Sequence, residues 1–259
     1  MSEDKIVGGV VQNFYDSMAS SYDMFYEDWE AASRQEADFL ERIFLENGLD
    51  RDRTILDCAC GIGTQALGLA ALGYDVTGSD ISSGELAEAS RRAEQNSAGI
   101  TLVQADFREL EKTFTETFDI VIAMDNALPH MLTKEDLDRA LRSIAGRTKE
   151  GGIFVASIRD YDRMLREKPN YSAPYVHRTE HGQRVLFQTW EWIGDNYRFI
   201  QYIINDEEET TLSRFECEYR AVRRRELTEM LCDAGFGRVS WMMPEETGFY
   251  QPVFVAGKI

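Results

Sequence analysis

The sequence predicts an α/β protein with a mostly parallel seven-stranded sheet, helices on both faces and a small antiparallel β insertion. Strand-like apolar runs alternate with helical patterns from residue 54 to 158, which is typical of parallel strands joined by helices. Three segments between residues 184 and 219 then alternate apolar and polar residues, as antiparallel strands do. A helix and two more strands follow and complete the predicted sheet.

The first predicted strand contains Ile55 and Leu56 and leads through Asp57 into a turn with Gly61 and Gly63. A helix over residues 65–72 follows directly. Glycines in such a turn let the backbone approach a ligand, and the helix N-terminus presents free N–H groups. We therefore expect a ligand site at the carboxyl end of this strand.

The next elements favour a cofactor that contains adenosine. Residues 74–79 are predicted as the second strand, and Asp80 at its end can accept both hydroxyls of a ribose. The third strand, in residues 102–107, ends with Asp106 and Phe107. A carboxylate and an aromatic ring at that point suit the amino group and the ring face of an adenine.

Two cofactors compete for these residues. Gly61, Gly63 and Ala66 satisfy the G-x-G-x-x-A pattern of dinucleotide-binding proteins, with Asp80 near the spacing expected for NAD. Asp57 points instead to S-adenosylmethionine, because a carboxylate there repels a pyrophosphate and attracts an amino-acid ammonium. About fifty residues rich in aromatics also precede the first strand. We favour S-adenosylmethionine; a tight turn without any ligand is the structural alternative.

The later elements follow from the same patterns. Strand four is predicted at residues 118–124, a helix at Lys134–Arg147 with Thr133 as its N-cap, and strand five at residues 152–158, after a turn at residues 149–152. Residues 160–180 are polar, aromatic and interrupted by prolines.

The three alternating segments cover residues 184–192, 197–204 and 211–219, with a hairpin signal at residues 194–196. A helix at residues 224–234 and strands near Val239 and Val253 complete the pattern. We divide the chain into an N-terminal helical cover (1–50), a core (51–160 and 221–259) and an antiparallel β insertion that forms a substrate lid (161–220).

The formal net charge of −18 over 259 residues argues against a nucleic-acid partner and against an anionic membrane surface. The one-residue spacing of Cys58 and Cys60 matches no zinc motif, so we expect free thiols and no metal. The first five residues, MSEDK, do not resemble a signal peptide, and we expect a cytoplasmic protein. The composition leaves monomer and homo-oligomer open.

Substrate-binding groups are expected just after strands four and five, because ligands bind at the carboxyl ends of parallel strands. Arg159 can clamp a carboxylate through two hydrogen bonds, unless it forms a surface ion pair with Asp160 or Asp162. The side-chain oxygen of Asn126 can accept a proton from an amine, although asparagine also favours turns. His130 is a candidate proton acceptor or a structural histidine.

The N-terminal segment supplies Tyr15, Tyr22, Tyr26 and Trp29 ahead of a helix that contains Arg34. Such a segment can fold over a cofactor, with Arg34 on the cofactor's carboxylate. The structural alternative is an amphipathic helix that buries its aromatic side chains on the sheet.

At these residues the chain resembles class I S-adenosylmethionine methyltransferases, which have a Rossmann-like fold. Within them it is similar to the glycine and glycine/sarcosine N-methyltransferases. The segment at residues 57–64 resembles their cofactor loop, residues 126–130 their Asn-Ser-x-x-His segment, and residues 158–162 their His-Arg-Asn-Tyr-Asp segment. The first motif indicates the superfamily, and the other two indicate a small amino-acid substrate.

The resemblance implies that Arg159 binds the substrate carboxylate, that Asn126 contacts its amino end, and that Tyr175 and Tyr219 line the pocket. It places catalysis at Asn126, Arg159 and His130. The residues implied for the cofactor are Tyr15, Tyr22, Arg34, Asp57, Ala59, Gly61, Gly63, Asp80, Ile81, Asp106, Phe107 and Met124. The implied activity is N-methylation of glycine or sarcosine, the first steps of betaine synthesis.

Other functions stay open on sequence. A methyltransferase for dimethylglycine, a small carboxylic acid or a quinone precursor has the same core. A NAD-dependent oxidoreductase, or a regulator that binds the cofactor without catalysis, is the alternative from another class.

Overall fold

The computed structural model describes residues 3–259, with side chains from residue 9 onward. The expectation about a signal peptide concerns residues 1–5 and therefore lies outside the described side chains. The chain begins with helix α1 (Glu3–Met18), a 3-10 segment (Ala19–Phe25) and helix α2 (Trp29–Glu46). Helix α2 starts where the Asp28 carboxylate accepts a hydrogen bond from the Ala31 N–H at 2.9 Å, which satisfies a free donor of its first turn.

A seven-stranded sheet forms the centre of the fold. Its strands are β1 (Thr54–Asp57), β2 (Asp75–Asp80), β3 (Thr101–Gln104), β4 (Phe118–Ala123), β5 (Thr148–Ser157), β10 (Phe236–Met242) and β11 (Val253–Lys258). The order across the sheet is β10-β11-β5-β4-β1-β2-β3. Strands β1 to β5 pair in parallel, and β11 and β10 add to one edge in antiparallel orientation. The predicted fold class is confirmed.

Helices cover both faces of this sheet. They are α3 (Thr64–Ala71), α4 (Ser83–Gln95), α5 (Lys134–Arg147), α6 (Tyr161–Glu167), α7 (Arg224–Asp233) and α8 (Pro244–Thr247). Helix α5 has the predicted bounds, and Thr133 caps it by accepting from the Asp136 N–H at 3.0 Å. Helix α6 was missed, because only Tyr161 and Leu165 face the core along its two turns.

The strand order reverses between β1 and β4, so their carboxyl ends face the same crevice. Strand β5 starts at Thr148, four residues earlier than predicted. The turn expected at residues 149–152 is a bulge instead. Phe118 of β4 pairs with Thr148 of β5, whereas Ile120 of β4 pairs with Ile153 of β5. The extra residues of β5 between these two pairs form the bulge.

The insertion forms a separate antiparallel sheet of four strands in the order β6-β7-β8-β9. These strands are β6 (Tyr175–Thr179), β7 (Gly182–Ile193), β8 (Asn196–Asp206) and β9 (Thr210–Arg220). The hairpin between β7 and β8 is as predicted, with Gly194 at φ 68°. Strand β6 was missed, because it is an exposed edge strand that lacks a buried apolar face.

One face of the insertion sheet packs into the main core. Tyr197, Phe199 and Tyr219 share a hydrophobic cluster with the α5 side of the central sheet. This packing brings the middle of β7, the start of β8 and the end of β9 close to Arg159, which follows β5. Among the described helices, no segment is long and apolar enough to cross a membrane.

Candidate active site

A cleft of about 780 Å³ opens at the carboxyl ends of β1, β2 and β4. Its wall is formed by the glycine turn after β1, the ends of β2 and β4, and aromatic residues of the N-terminal segment. The lining residues are Val11, Tyr15, Tyr22, Cys58, Ala59, Cys60, Gly61, Ile62, Thr64, Gln65, Asp80, Ile81, Asp106, Phe107, Arg108, Met124, Asp125, Ala127, His130 and Met131.

The glycine turn is locked to the end of β2. Gly61 adopts φ 51°, a left-handed conformation that favours glycine, and its N–H donates to Asp80 Oδ2 at 2.9 Å. The other Asp80 oxygen accepts from the Ser82 N–H at 2.9 Å. Each carboxylate oxygen keeps a second lone pair, so Asp80 can still accept the two hydroxyls of a ribose in the cleft.

The adenine end of the predicted site contains Asp106 and Phe107, and both line the cleft. The Asp106 carboxylate is held by the Arg108 guanidinium, with Nη2 to Oδ2 at 2.6 Å. Sequence reasoning missed Arg108, although its position two residues after the acid was a usable signal. The ion pair fixes the Asp106 side chain and still leaves a lone pair for an amino-group donor.

Asp57 does not line the cleft. It is fully buried behind the glycine turn, where Oδ1 accepts from the Ala59 N–H at 3.3 Å. Burial raises the pKa of this carboxyl well above its usual value, and repulsion from Asp80 and Asp125 raises it further. The acid that reaches the cleft surface at the switch point is Asp125, from the end of β4.

The turn after β4 is strained and held by β5. Asp125 and Asn126 have φ values of 55° and 70°, which are uncommon for residues other than glycine. Their N–H groups donate to Ser157 Oγ at 2.8 Å and to the Ser157 carbonyl at 3.1 Å. Strain of this kind concentrates at functional sites. The turn places Asp125 on the cleft and Asn126 in the buried layer beside β5.

Arg159 emerges from β5 beneath the insertion sheet. Its guanidinium donates to Tyr197 Oη and to Gln188 Oε1, each at 3.1 Å. The surface alternative does not hold, because Asp160 and Asp162 pair with Arg224 at 2.6 and 3.3 Å. Within the described residues, both hydrogen-bond acceptors of the Arg159 guanidinium are neutral. Sequence reasoning missed Gln188 and Tyr197, because alternation predicts the strands that contain them but not what either face of those strands contacts.

A chain of three ring contacts connects the cleft lining to Arg159. The Tyr15 hydroxyl lies 2.7 Å from His130 Nε2. The His130 ring centroid lies 4.4 Å from that of Tyr219, and Arg159 Cζ lies 5.4 Å from the Tyr219 ring on the other side. Burial, together with the positive charge of Arg159, lowers the pKa of His130 to about 3.

The remaining residues predicted for the site divide between the cleft lining and the protein surface. Tyr22 and Met124 line the cleft with Ala59 and Ile81, whereas Gly63 is one layer behind, as the N-cap of α3. Arg34 is on the solvent side of α2, 66% exposed and 3.9 Å from Glu30. Tyr175 is 66% exposed on the edge strand β6. The structure does not bring these last two residues to the cleft.

Three residues that the sequence did not single out meet Asp125 at the cleft. Gln65 Nε2 donates to Glu36 Oε2 at 2.5 Å and to Asp125 Oδ2 at 2.8 Å. The Tyr250 hydroxyl donates to Asp125 Oδ1 at 2.7 Å. Burial, and next the proximity of Asp125, raises the pKa of Glu36 to about 9.

The groups on the cleft wall fit S-adenosylmethionine better than a dinucleotide. Three carboxylates, Asp80, Asp106 and Asp125, line it, and the guanidinium of Arg108 already pairs with Asp106. Acceptor oxygens suit a ligand with ribose hydroxyls and amino groups, and they repel the two negative charges of a pyrophosphate. Among the described residues, no cluster of side chains has the composition of a metal site.

Comparison with known proteins agrees with this chemistry. Residues 55–152 match the family model described as a methyltransferase domain. A glycine/sarcosine N-methyltransferase of Parasynechococcus marenigrum is 31% identical over 138 residues, which cover 53% of this chain and about half, 48%, of that relative. The glycine/sarcosine N-methyltransferase of Aphanothece halophytica is 28% identical over 209 residues, 81% of this chain and 74% of that protein.

The fold also occurs in solved structures. The amino pentose methyltransferase CalS10 of Micromonospora echinaspora, solved with S-adenosylmethionine bound, superposes with a TM-score of 0.75 at 20% identity. The superposition covers 93% of this chain and 95% of that chain. At this identity the similarity concerns the fold.

Proposed function

We propose that this chain, whose residues 55–152 carry an S-adenosylmethionine-dependent methyltransferase domain, transfers a methyl group to the amino nitrogen of glycine or sarcosine. When bound, the cofactor supplies an activated methyl group on a sulfonium. The names of the curated relatives support this acceptor. The observation that carries the proposal is the partly buried guanidinium of Arg159, whose hydrogen-bond acceptors within the described residues are neutral.

Even partial burial of a guanidinium without a counterion is costly, so the environment of the group has to compensate. Here the side chain lies among aromatic rings, with Cζ 5.0 Å from the centroid of Phe199 and 5.8 Å from that of Trp190. Burial disfavours the charge, but the surrounding tyrosine hydroxyls favour it, and the pKa of Arg159 rises overall. A carboxylate from the substrate can supply the missing negative charge in a bidentate pair.

We propose that Asn126 binds the same end of the substrate, in place of the amino end expected from the sequence. Its Oδ1 already accepts from the Arg159 N–H at 3.0 Å and from the Tyr161 hydroxyl at 2.9 Å, so both lone pairs are used. Its Nδ2 is buried without a partner among the described residues. That free group is a donor. It suits a carboxylate oxygen, not a proton of the substrate amine.

The proton of the amine must leave before attack on the methyl group, because an ammonium has no lone pair. His130 is an unsuitable base at neutral pH, since its pKa near 3 gives it little affinity for a proton. We propose that the amine loses its proton to solvent. An α-amino group titrates near ~8 in peptides, so turnover is expected to rise towards alkaline pH.

The insertion sheet limits the size of the acceptor. Trp190, Phe199 and Tyr219 surround the Arg159 guanidinium on the buried face of that sheet. A site in which aromatic rings crowd the carboxylate clamp favours an acceptor with a hydrogen atom or a small group at the α-carbon. We therefore place the insertion, residues 161–220, as the substrate lid of the proposed enzyme. Methylation of glycine in this way is the start of betaine synthesis, and the proposed role is osmolyte production.

The test is methyl transfer from labelled S-adenosylmethionine to glycine, sarcosine and dimethylglycine, with wild type, Arg159→Lys and Arg159→Ala. Arg163→Ala is the matched control, because Arg163 is 65% exposed on α6 and pairs with Glu167. We expect KM for the amino acid to rise at least ~10-fold in Arg159→Ala, and the control to match wild type. Tight cofactor binding without turnover on any of the three acceptors would refute the glycine assignment.

A further inference from the structure

The insertion sheet has two faces of different character, because side chains alternate between the faces of a strand. Gln188 and Tyr197 both contact Arg159, so we call their face the inner face and the opposite one the outer face. The register places six apolar residues in two neighbouring rows of the outer face. We call them the apolar stripe: Val176, Val185, Ile204 and Leu212 in one row, and Phe187 and Tyr202 in the next.

The apolar stripe is accessible to solvent along its whole width. Leu212 at one end is 65% exposed and Val176 at the other end is 53% exposed, and the four residues between them are half-buried. The rings of Phe187 and Tyr202 stack with centroids 4.8 Å apart. Leu186, which follows Val185 in the same strand but lies on the inner face, is buried. A contiguous exposed apolar patch of this kind indicates an interaction surface.

The charges on the outer face cancel. On β8 and β9 the register gives that face three arginines and three acidic residues, which are Arg198, Arg214, Arg220, Asp206, Glu216 and Glu218. Strands β6 and β7 add one charge of each sign, Arg178 and Glu191. Arg198 pairs with Glu191 at 3.2 Å and with Glu216 at 2.7 Å, within the sheet. The net charge of the chain is −18, so its excess negative charge lies on other surfaces.

The size of the outer face matches what a stable dimer needs. Strands β7, β8 and β9 contain 12, 11 and 11 residues, and β6 contains 5. At ~3.4 Å per residue and ~4.8 Å between strands, the sheet covers roughly 600 Å² in projection. Side chains that stand out from the sheet raise the accessible area above this projection. The face is therefore close to the ~800 Å² that each partner buries in a standard interface.

We infer that the apolar stripe is an interface with a second copy of this chain, in which two insertion sheets pack face to face about a two-fold axis. A two-fold contact uses the same patch on both copies, and an apolar face without net charge is complementary to itself. Nucleic acid and anionic membranes require a positive patch. A basic partner would be attracted to the acidic surfaces elsewhere on the chain. The inference does not depend on which acceptor is methylated.

Sedimentation velocity of the full chain, from micromolar to submillimolar concentration, tests the inference. Leu212→Glu and Leu212→Lys are the main variants, because an exposed position tolerates a charged side chain in the folded monomer. The pair separates burial from overall charge, since one substitution raises the negative charge of the chain and the other lowers it. Val176→Glu tests the other end of the stripe. Leu45→Glu is the matched control, because Leu45 is 54% exposed on α2, outside the insertion.

We expect wild type and Leu45→Glu to sediment as dimers with the same dissociation constant. In both Leu212 variants and in Val176→Glu that constant is expected to rise at least ~10-fold, because each copy would bury a charge in the contact. Circular dichroism is expected to be unchanged in all variants. A wild-type monomer at the highest concentration would overturn the inference. A dimer that the stripe variants leave intact would also overturn it and would place the interface elsewhere, and weakening by Leu212→Glu but not by Leu212→Lys would attribute the effect to overall charge and overturn it too.

Discussion

The hydroxyl of Tyr15 lies 2.7 Å from Nε2 of His130 and connects the N-terminal helix to the turn after β4. The two residues are 115 positions apart in the chain. Both line the cleft, and His130 also packs against Tyr219 of the insertion sheet. Three parts of the chain therefore meet around this hydrogen bond, on the side of the cleft next to Arg159.

We expect Tyr15→Phe to lower the free energy of unfolding by about 1–2 kcal/mol, because the substitution leaves a buried imidazole nitrogen without its partner. Urea unfolding of the variant and of wild type measures the difference. Tyr171→Phe is the control, since Tyr171 is 71% exposed, and its stability is expected to match wild type. If Tyr15→Phe were as stable as wild type, the hydrogen bond would contribute no net stability.

The depressed pKa of His130 predicts a pH dependence of stability. In the unfolded chain this histidine takes up a proton near pH 6.5, whereas in the folded protein its pKa is about 3 because of burial. The unfolded state thus binds more protons between these values. The contribution of His130 to the free energy of unfolding is complete above pH 6.5. It declines as the pH falls towards 3, by up to ~1.4 kcal/mol per pH unit.

His130→Gln removes this titration and leaves an amide near the Tyr15 hydroxyl. Measured at pH 7 and at pH 5, the stability difference between wild type and His130→Gln is expected to shrink at the lower pH by about 1–2 kcal/mol. Chemical denaturation at both values tests this expectation. Parallel pH curves for the two proteins would show that His130 titrates normally in the folded state.

Gly68 determines how closely α3 packs against α2. A Cβ atom at this position would lie 2.5 Å from the Ser33 carbonyl oxygen and 2.8 Å from Ala37 Cβ. We expect Gly68→Ala to cost about 1–3 kcal/mol of stability, because the backbone of α2 would have to move. The cofactor Kd should rise as well, since α3 begins at the cleft with Thr64 and Gln65.

Gly146 in α5 provides the matched substitution, because nothing lies within 4 Å of a Cβ built there. Gly146→Ala is expected to raise stability by about 0.5–1 kcal/mol, through helix propensity alone. Thermal unfolding and cofactor titration of the two alanine variants provide the comparison. Equal stability changes of the two variants would show that the contact between α2 and α3 tolerates a methyl group.

Much of the fold could be predicted from local pattern. The alternation of strands and helices predicts the parallel sheet, because each element must bury one apolar face against its neighbours. Helix α5 was placed to the residue, since Thr133 caps it and its apolar side faces the sheet. Strand β6 and helix α6 were missed because they bury few side chains. The position of α6 depends on residues distant in sequence, since Asp160 and Asp162 at its start pair with Arg224.

Helix α2 shows why the cofactor site was only partly predictable. Arg34 and Glu36 are two positions apart, and two residues of an α-helix point roughly 200° apart. The sequence alone offered Arg34 as the residue facing the cofactor. In the structure Arg34 faces solvent, and Glu36 hydrogen-bonds with Gln65 at the cleft. The contacts of Ala37, Leu40 and Phe44 with the core fix this rotation of the helix.

Local sequence patterns are enough to predict the fold class, the glycine turn with Asp80, and the positions of Asn126, His130 and Arg159 after their strands. These depend on short-range constraints of backbone conformation and on the rule that parallel strands end at one edge of the sheet. Contacts between distant segments decide which atom of Asn126 stays free, that Arg159 has neutral hydrogen-bond partners, and that Asp125 lines the cleft in place of Asp57. Hydrogen-bond partners and burial depend on the packing of distant segments, which no local pattern encodes.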